Sequence, residues 1–203
     1  MNSLRELYVE ELKDLYSAEN QILKALPKMI RAASNRDLQR AFSLHEKQTQ
    51  RQVKRLDRIF KMLGESSRGK KCKGMEGLIE EGKELIEEKP EPEVLDAGLI
   101  AAAQRIEHYE IAGYGTVRTY AMQLGEEEQA SLLQETLNEE GETDKILSSL
   151  AESPINIEAE QADGEEDEDS SEENGSGNGG NGSRRAAGRK RAAGTRRRTA
   201  AAR

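Results

Sequence analysis

The sequence predicts an all-α fold, a four-helix bundle made of two hairpins joined by a long connection. Three observations carry that prediction. Apolar residues recur three and four apart along four long stretches. The composition favours helix, with 34% charged residues rich in Glu and Lys among Leu and Ala, few prolines and almost no strand-like alternation. The two pairs of stretches are separated by residues 65–92, far more chain than a bundle turn requires. With 203 residues, 3% aromatics and no Trp, the chain can bury one real core, packed mainly by Leu, Ile, Ala and Met.

The first helix is predicted over about Ser3 to Ala33, with Leu4, Tyr8, Leu15, Ile22, Leu26 and Met29 on one face and a kink expected at Pro27. "SNRD" supplies a turn and a cap. The second helix, about Asp37 to Leu63, carries Leu38, Phe42, Val53, Leu56, Ile59 and Leu63, and Gly64 is a natural stop. Residues 65–92 read as a crossover that holds a short amphipathic helix near "MEGLIEEGKELIEE". The third long helix, about Glu93 to Leu124, carries Leu95, Leu99, Ala102, Ile106, Gly113 and Val117. The fourth, about Glu126 to Ala151, carries Leu133, Leu137, Ile146, Leu147 and Leu150, and Pro154 closes the domain. Hairpin, long crossover and hairpin make the ferritin-like arrangement, here assigned to residues 1–153.

Each long helix breaks its apolar stripe near the middle. Glu19 lies four after Leu15 and three before Ile22. Glu110 lies four after Ile106 and three before Gly113, so both point inward. His45, Thr49 and Gln52 interrupt the second helix; Glu139, Glu140 and Thr143 interrupt the fourth. A weak internal repeat pairs Glu19 with Gln48 (48 − 19 = 29) and Glu110 with Glu139 (139 − 110 = 29), which favours Glu139 over Glu140 as the inward glutamate. Carboxylates gathered at one level of a dry bundle need protonation, a buried Arg or Lys, or a cation. A pair of iron or manganese ions is the third remedy. Such sites usually draw one Glu from each of two helices and Glu-x-x-His from each of the other two. That spacing is incomplete here. His45 precedes the polar pair on the second helix, and the fourth helix offers Asp144 and no His.

Five segments in order, "DLYSAENQILKALPKM", "LQRAFSLHEKQTQRQVKRLDRIFKMLG", "CKGMEGLIEEG", "DAGLIAAAQRIEHYEIAGYGT" and "LLQETLNEEGETDKILSSLA", resemble the YciF-like family of ferritin-like bacterial stress proteins. The resemblance implies a ferritin-like bundle, a homodimer and a di-metal site with a role in stress. Glu19 falls on the family's "YSAE" glutamate. Glu107, His108 and Glu110 fall on its "EHYE", and Glu139, Glu140 and Asp144 on its fourth-helix acidic segment. Where the family reads "HxEET", this chain carries Lys47 and Gln48 in place of two glutamates. The candidate metal residues are therefore Glu19, Glu107, Glu110, Glu139, Glu140, Asp144 and His45. His108 suits the surface or an interface, and the tyrosines suit packing.

Cys72 is the single cysteine, so no internal disulfide forms and a reducing compartment is expected. Lys70, Lys71 and Lys73 beside it should lower its thiol pKa. No apolar run is long enough to span a bilayer and no leader is evident, which suggests a soluble cytoplasmic protein without membrane contact. The net charge of −8 hides a division in residues 154–203. An acidic run is followed by a Gly/Asn/Ser spacer and a basic end that holds Arg184, Arg185, Arg189, Lys190, Arg191, Arg196, Arg197 and Arg198. This segment has little apolar content and is expected to be disordered. Its basic end suits non-specific contact with nucleic-acid phosphates. The alternative to a metal protein is a dimeric helical scaffold that uses this tail as a nucleic-acid arm.

Overall fold

A computed structural model describes residues 1–162. The acidic, glycine-rich and basic segments from residue 163 onward, including the nucleic-acid contacts expected of Arg184 to Arg198, lie outside the described residues. Five helices are followed by a turn of π-helix and a short sixth helix, with no strand among the described residues: α1 Leu4–Ala32, α2 Arg36–Leu63, α3 Lys73–Glu88, α4 Pro92–Gln123, α5 Glu127–Leu150, the π turn Ala151–Ile155, and α6 Asn156–Ala162. The hairpins α1–α2 and α4–α5 form the four-helix bundle, and α3 lies along α4 and α1 within the crossover.

Local chemistry accounts for the helix ends. The Ser3 hydroxyl accepts from the Glu6 N–H, and the Asn35 side chain accepts from the N–H groups of Asp37 and Leu38. Gly64 takes φ 67°, a left-handed conformation open to glycine, and the Glu65 N–H then closes back on the Phe60 carbonyl. Pro92 occupies the first turn of α4, where its missing N–H costs nothing. Pro27 does not end α1, which runs unbroken past it.

The α1–α2 turn is tied to α4 by Asp96, a buried carboxylate that accepts from Ser34 N (2.8 Å), Ser34 Oγ (2.6 Å) and Asn35 N (2.7 Å). α4 approaches α1 closely at Gly113, where a Cβ would lie 2.7 Å from Leu15 Cδ2. The helical path does not stop at Pro154. It widens into the π turn and continues through α6, with Ile155 buried against the core. A proline lacks the N–H an α-turn would need, and a π turn accommodates such an interruption.

Apolar packing falls into two clusters. One holds Ile22, Leu26, Phe42, Leu99, Ile100 and Leu147 among others. The second holds Tyr8, Leu12, Leu56, Ile59, Val117 and Leu133 among others. On every long helix the residues between these clusters are the polar ones, so the core is two apolar plugs around one polar layer.

Candidate metal centre

The polar layer draws on all four bundle helices at mid-length. α1 gives Glu19; α2 gives His45, Thr49 and Gln52; α4 gives Glu107 and Glu110; α5 gives Thr136, Glu140 and Thr143. None of these residues is more than 5% exposed. One donor atom from each of His45, Glu107, Glu110 and Glu140 lies within 4.8 Å of the others. Glu19 joins the layer from α1, and its Oε1 accepts a hydrogen bond from the Tyr114 hydroxyl.

The layer leaves eight buried polar atoms without hydrogen-bond partners. These are one oxygen each of Glu19 and Glu107, both oxygens of Glu110 and of Glu140, His45 Nε2 and Gln52 Oε1. Buried polar groups are normally satisfied, and an orphan costs about 1–3 kcal/mol, more when charged. Burial first, and then the neighbouring carboxylates, push the carboxyls of Glu19, Glu107 and Glu110 well above the usual range. Burial likewise raises Glu140 to about 8. No Lys or Arg ion pair reaches these four residues among the described residues.

The histidine does not supply the missing charge. Burial lowers His45 to about 4, so it is neutral near pH 7. Its tautomer follows from the hydroxyl beside it. Thr143 Oγ1 donates to the Glu139 carbonyl (3.1 Å) and is left to accept from His45 Nδ1 (3.3 Å). Nε2 therefore carries a bare lone pair, 3.3 Å from Glu107 Oε1. A lone pair facing a carboxylate oxygen is repulsive unless a proton or a cation lies between them. Nδ1 anchored through a hydrogen bond and Nε2 free is the usual state of a metal-ligating histidine.

Glu139 is placed differently from the expectation. It turns away from the layer and forms a forked pair with Arg55 (2.6 and 3.0 Å), supported by Gln52 Nε2 at 3.1 Å. Burial raises its carboxyl, but the Arg55 hydrogen bonds outweigh that and hold it below the usual range. The inward glutamate is Glu140, one residue on and about 100° round the helix. The repeat that matches the structure has a spacing of 30, which pairs Glu19 with Thr49 (49 − 19 = 30) and Glu110 with Glu140 (140 − 110 = 30).

Asp144 also lies outside the layer, 3.2 Å from Nε2 of the exposed His108 and 3.3 Å from Gln104 Nε2. Lys47 is exposed and Gln48 half-buried, so the two departures from "HxEET" do not enter the layer. Tyr114, read from sequence as packing, is a polar partner of Glu19. Its place one turn after Glu110 is the signal that marks it.

Three comparisons bear on this geometry. A family described as a domain of unknown function, DUF892, matches residues 3–160. Protein YciF of Escherichia coli (strain K12) is 47% identical over 163 residues, covering 79% of this chain and 97% of that protein. The crystal structure of the E. coli stress protein YciF overlays with a TM-score of 0.74 at 46% identity, over 77% of this chain and 99% of the other. YcfI from Rhodopseudomonas palustris overlays at 0.71 with 43% identity, over 73% of this chain and 94% of the other. A Xanthomonas campestris protein at 22% identity, with a TM-score of 0.64, shares the fold.

Proposed function

The chain belongs to the DUF892 family and is YciF-like in sequence and fold, and from that premise we propose that its polar layer is a carboxylate site for two divalent ions, iron or manganese. The observation that carries this reading is the set of eight orphaned buried atoms, all in one layer. Four carboxylates, Glu19, Glu107, Glu110 and Glu140, carry four negative charges when ionised, which two divalent ions neutralise. Oxygen and imidazole donors suit iron and manganese. His45 Nε2, Glu107, Glu110 and Glu140 are close enough to serve one ion. A second would draw on Glu19 together with Glu140, whose charge acts on it, and Glu110, on which Glu19 acts in turn.

The bound pair would supply redox chemistry with dioxygen or peroxide, in keeping with the stress association that YciF carries in its printed description. The chain's own residues do the rest. Tyr114 fixes one oxygen of Glu19 and leaves the other free. Thr143 fixes the His45 ring and its tautomer. The apolar plugs above and below exclude water. Thr49 and Gln52 stand where the usual pattern would put Glu-x-x-His, so α2 offers His45 as its one strong donor and α4 and α5 supply the carboxylates.

Anaerobic loading with ferrous ion followed by metal analysis tests the reading. About two ions per chain are expected, as in other carboxylate bundles. A Glu19→Ala, Glu110→Ala double variant should lose them. Retention of well under one ion per chain by the unaltered protein overturns the proposal.

A further inference from the structure

Beside the polar layer, and not part of it, Cys72, Tyr109 and Asp14 form a hydrogen-bonded chain. Cys72 Sγ lies 3.0 Å from Tyr109 Oη, and the Tyr109 hydroxyl donates to Asp14 Oδ2 at 2.6 Å. Lys70 Nζ lies 3.5 Å from Asp14 Oδ1. The phenol has one proton and gives it to Asp14. The thiol proton then faces the phenol oxygen or Asp14, whose carboxylate also hydrogen-bonds Cys72, so the three groups form one proton-sharing cluster. Tyr109, the middle member, is covalently next to Glu110 on α4, and Cys72 lies near enough to act on the Glu110 carboxyl. Asp14, the acceptor end, has a side chain 14% exposed.

The framework around the chain is specific. Cys72 is the N-cap of α3, and its backbone is held by Ser17 Oγ (2.9 Å to Cys72 N) and Gln21 Nε2 (3.0 Å to Cys72 O). Gly74, the second residue of α3, admits the phenol ring; a Cβ there would sit 2.8 Å from Tyr109 Cε2. The lysines expected to activate the cysteine do not do so. Burial first, and then Asp14, raise the thiol above its ordinary value. A buried neutral thiol is a poor nucleophile. It remains a good hydrogen-atom donor.

We infer that Cys72, Tyr109 and Asp14 form a hole relay that carries one-electron oxidising equivalents away from the carboxylate layer to a cysteine at its edge. The idea rests on the metal reading for its oxidant, a one-electron oxidant formed at the metal pair. Tyr109 gives one electron to that oxidant, and its O–H proton passes to Asp14. The Cys72 S–H bond then breaks homolytically, and the hydrogen atom passes to the phenoxyl oxygen. The net change is a thiol oxidised to a thiyl radical, an oxidant reduced by one electron and one proton on Asp14. Tyr114 does not serve this role, because its acceptor, Glu19, is fully buried within the layer and offers no exit for the proton.

The test begins with metal-free full-length protein and a photogenerated ruthenium(III) oxidant in solution. Radicals are followed by EPR, trapped with a nitrone and located by peptide mass spectrometry. The wild type should place most adduct on Cys72. Cys72→Ser should move the adduct to Tyr109 and lengthen the phenoxyl signal at least about tenfold, and Tyr109→Phe should cut the Cys72 adduct by a similar factor. Both variants are conservative, and circular dichroism checks that they fold. Equal phenoxyl lifetimes in wild type and Cys72→Ser, or unchanged Cys72 adduct in Tyr109→Phe, overturns the relay. The second arm treats iron-loaded protein with hydrogen peroxide and expects the same pattern. Bound iron without a Cys72 adduct overturns the link to the metal centre. Absence of bound iron is a failure of the metal reading instead, and the metal-free arm still decides the relay.

Discussion

Glu139 and Glu140 are neighbours in sequence and opposites in surroundings. The outer region, on the α2–α5 face, surrounds Glu139 with Arg55, Gln52 and, at 3.5 Å, Arg51. The inner region gives Glu140 a neutral histidine 4.0 Å away and other glutamates. The fold can place an arginine fork on a carboxylate four-fifths buried, since it does so one residue away. It provides none for four carboxylates that are almost wholly buried. The difference teaches that the inner carboxylates are not ordinary structural ion pairs. Their charge is left for something outside the chain to balance.

The sharpest way to break this comparison is to neutralise each neighbour in turn. Glu140→Gln should weaken ferrous or manganous binding by more than the roughly 10–100-fold typical of losing an outer-sphere partner. It should also raise the thermal midpoint of the metal-free protein at pH 8, because it removes a charge that burial disfavours. Glu139→Gln should leave metal affinity within that outer-sphere range and lower the midpoint, because it removes the fork on Arg55 and leaves it only the more exposed Glu135 as an ion-pair partner. Isothermal titration and scanning calorimetry on the two variants give the answer. Equal effects would erase the distinction between the regions.

Next in size is the pH dependence. The inner carboxyls have folded pKa values raised above the ordinary 4.5, to about 8 for Glu140. The folded state thus holds their protons more tightly than the unfolded state. The contribution of Glu140 is fully present below about pH 4.5 and is lost as pH rises through 8, on the order of a few kcal/mol, and those of Glu19, Glu107 and Glu110 have the same sign. His45 has the opposite sign. Its pKa falls from 6.5 to about 4, so its contribution is present above 6.5 and is lost as pH falls through 4. Between pH 6.5 and 8 only the carboxyls change. The metal-free midpoint should therefore fall across that window, while excess divalent metal should remove or reverse the slope, because binding needs deprotonated ligands. A flat metal-free profile would mean that the inner charges are balanced by a route within the chain.

A third prediction probes the outer region. Arg55→Ala leaves Glu139 four-fifths buried without its fork and should cost about 1–3 kcal/mol in denaturant unfolding. The loss should shrink as pH falls below the carboxylate range, since a protonated Glu139 needs no guanidinium. Metal content should be unchanged.

Much of this arrangement is legible in the sequence. Apolar spacing marks the four long helices, and the polar gap in each stripe marks the layer, because a helix exposes one face at a fixed period. Glu19, Glu110 and His45 follow from their distances to Leu15, Ile106 and Phe42, whereas Glu107 is marked by the family resemblance and not by spacing. The choice between Glu139 and Glu140 does not, since α5 is sparsely apolar and one residue turns a side chain by about 100°. The helical run past Pro154 was hidden because a proline after a helix usually stops it. The state of Cys72 is not legible in the sequence for a further reason. Its neighbours in sequence are lysines, but its neighbours in space are Asp14 and Tyr109, and α3 packing decides which count. The place of Tyr114 one turn after Glu110 marks its inward face, but its partner, Glu19, depends on α1 lying against α4.

The smallest expected effect bears on Lys47, the position where the chain departs from "HxEET". If that lysine neutralised the layer, Lys47→Glu would add a charge to the site, lower metal affinity or stability sharply, and place an exposed-looking residue within the inner region. The structure puts it on the outer surface of α2, while the inward positions of that helix are His45, Thr49 and Gln52. An exposed charge reversal away from packed or paired groups changes stability by about 0.5 kcal/mol or less. Metal content and midpoint should therefore match the unaltered protein within error, and added salt should remove any residual difference. A loss as large as that of Glu140→Gln would place Lys47 among the inner charges and supply the cation that the layer otherwise lacks.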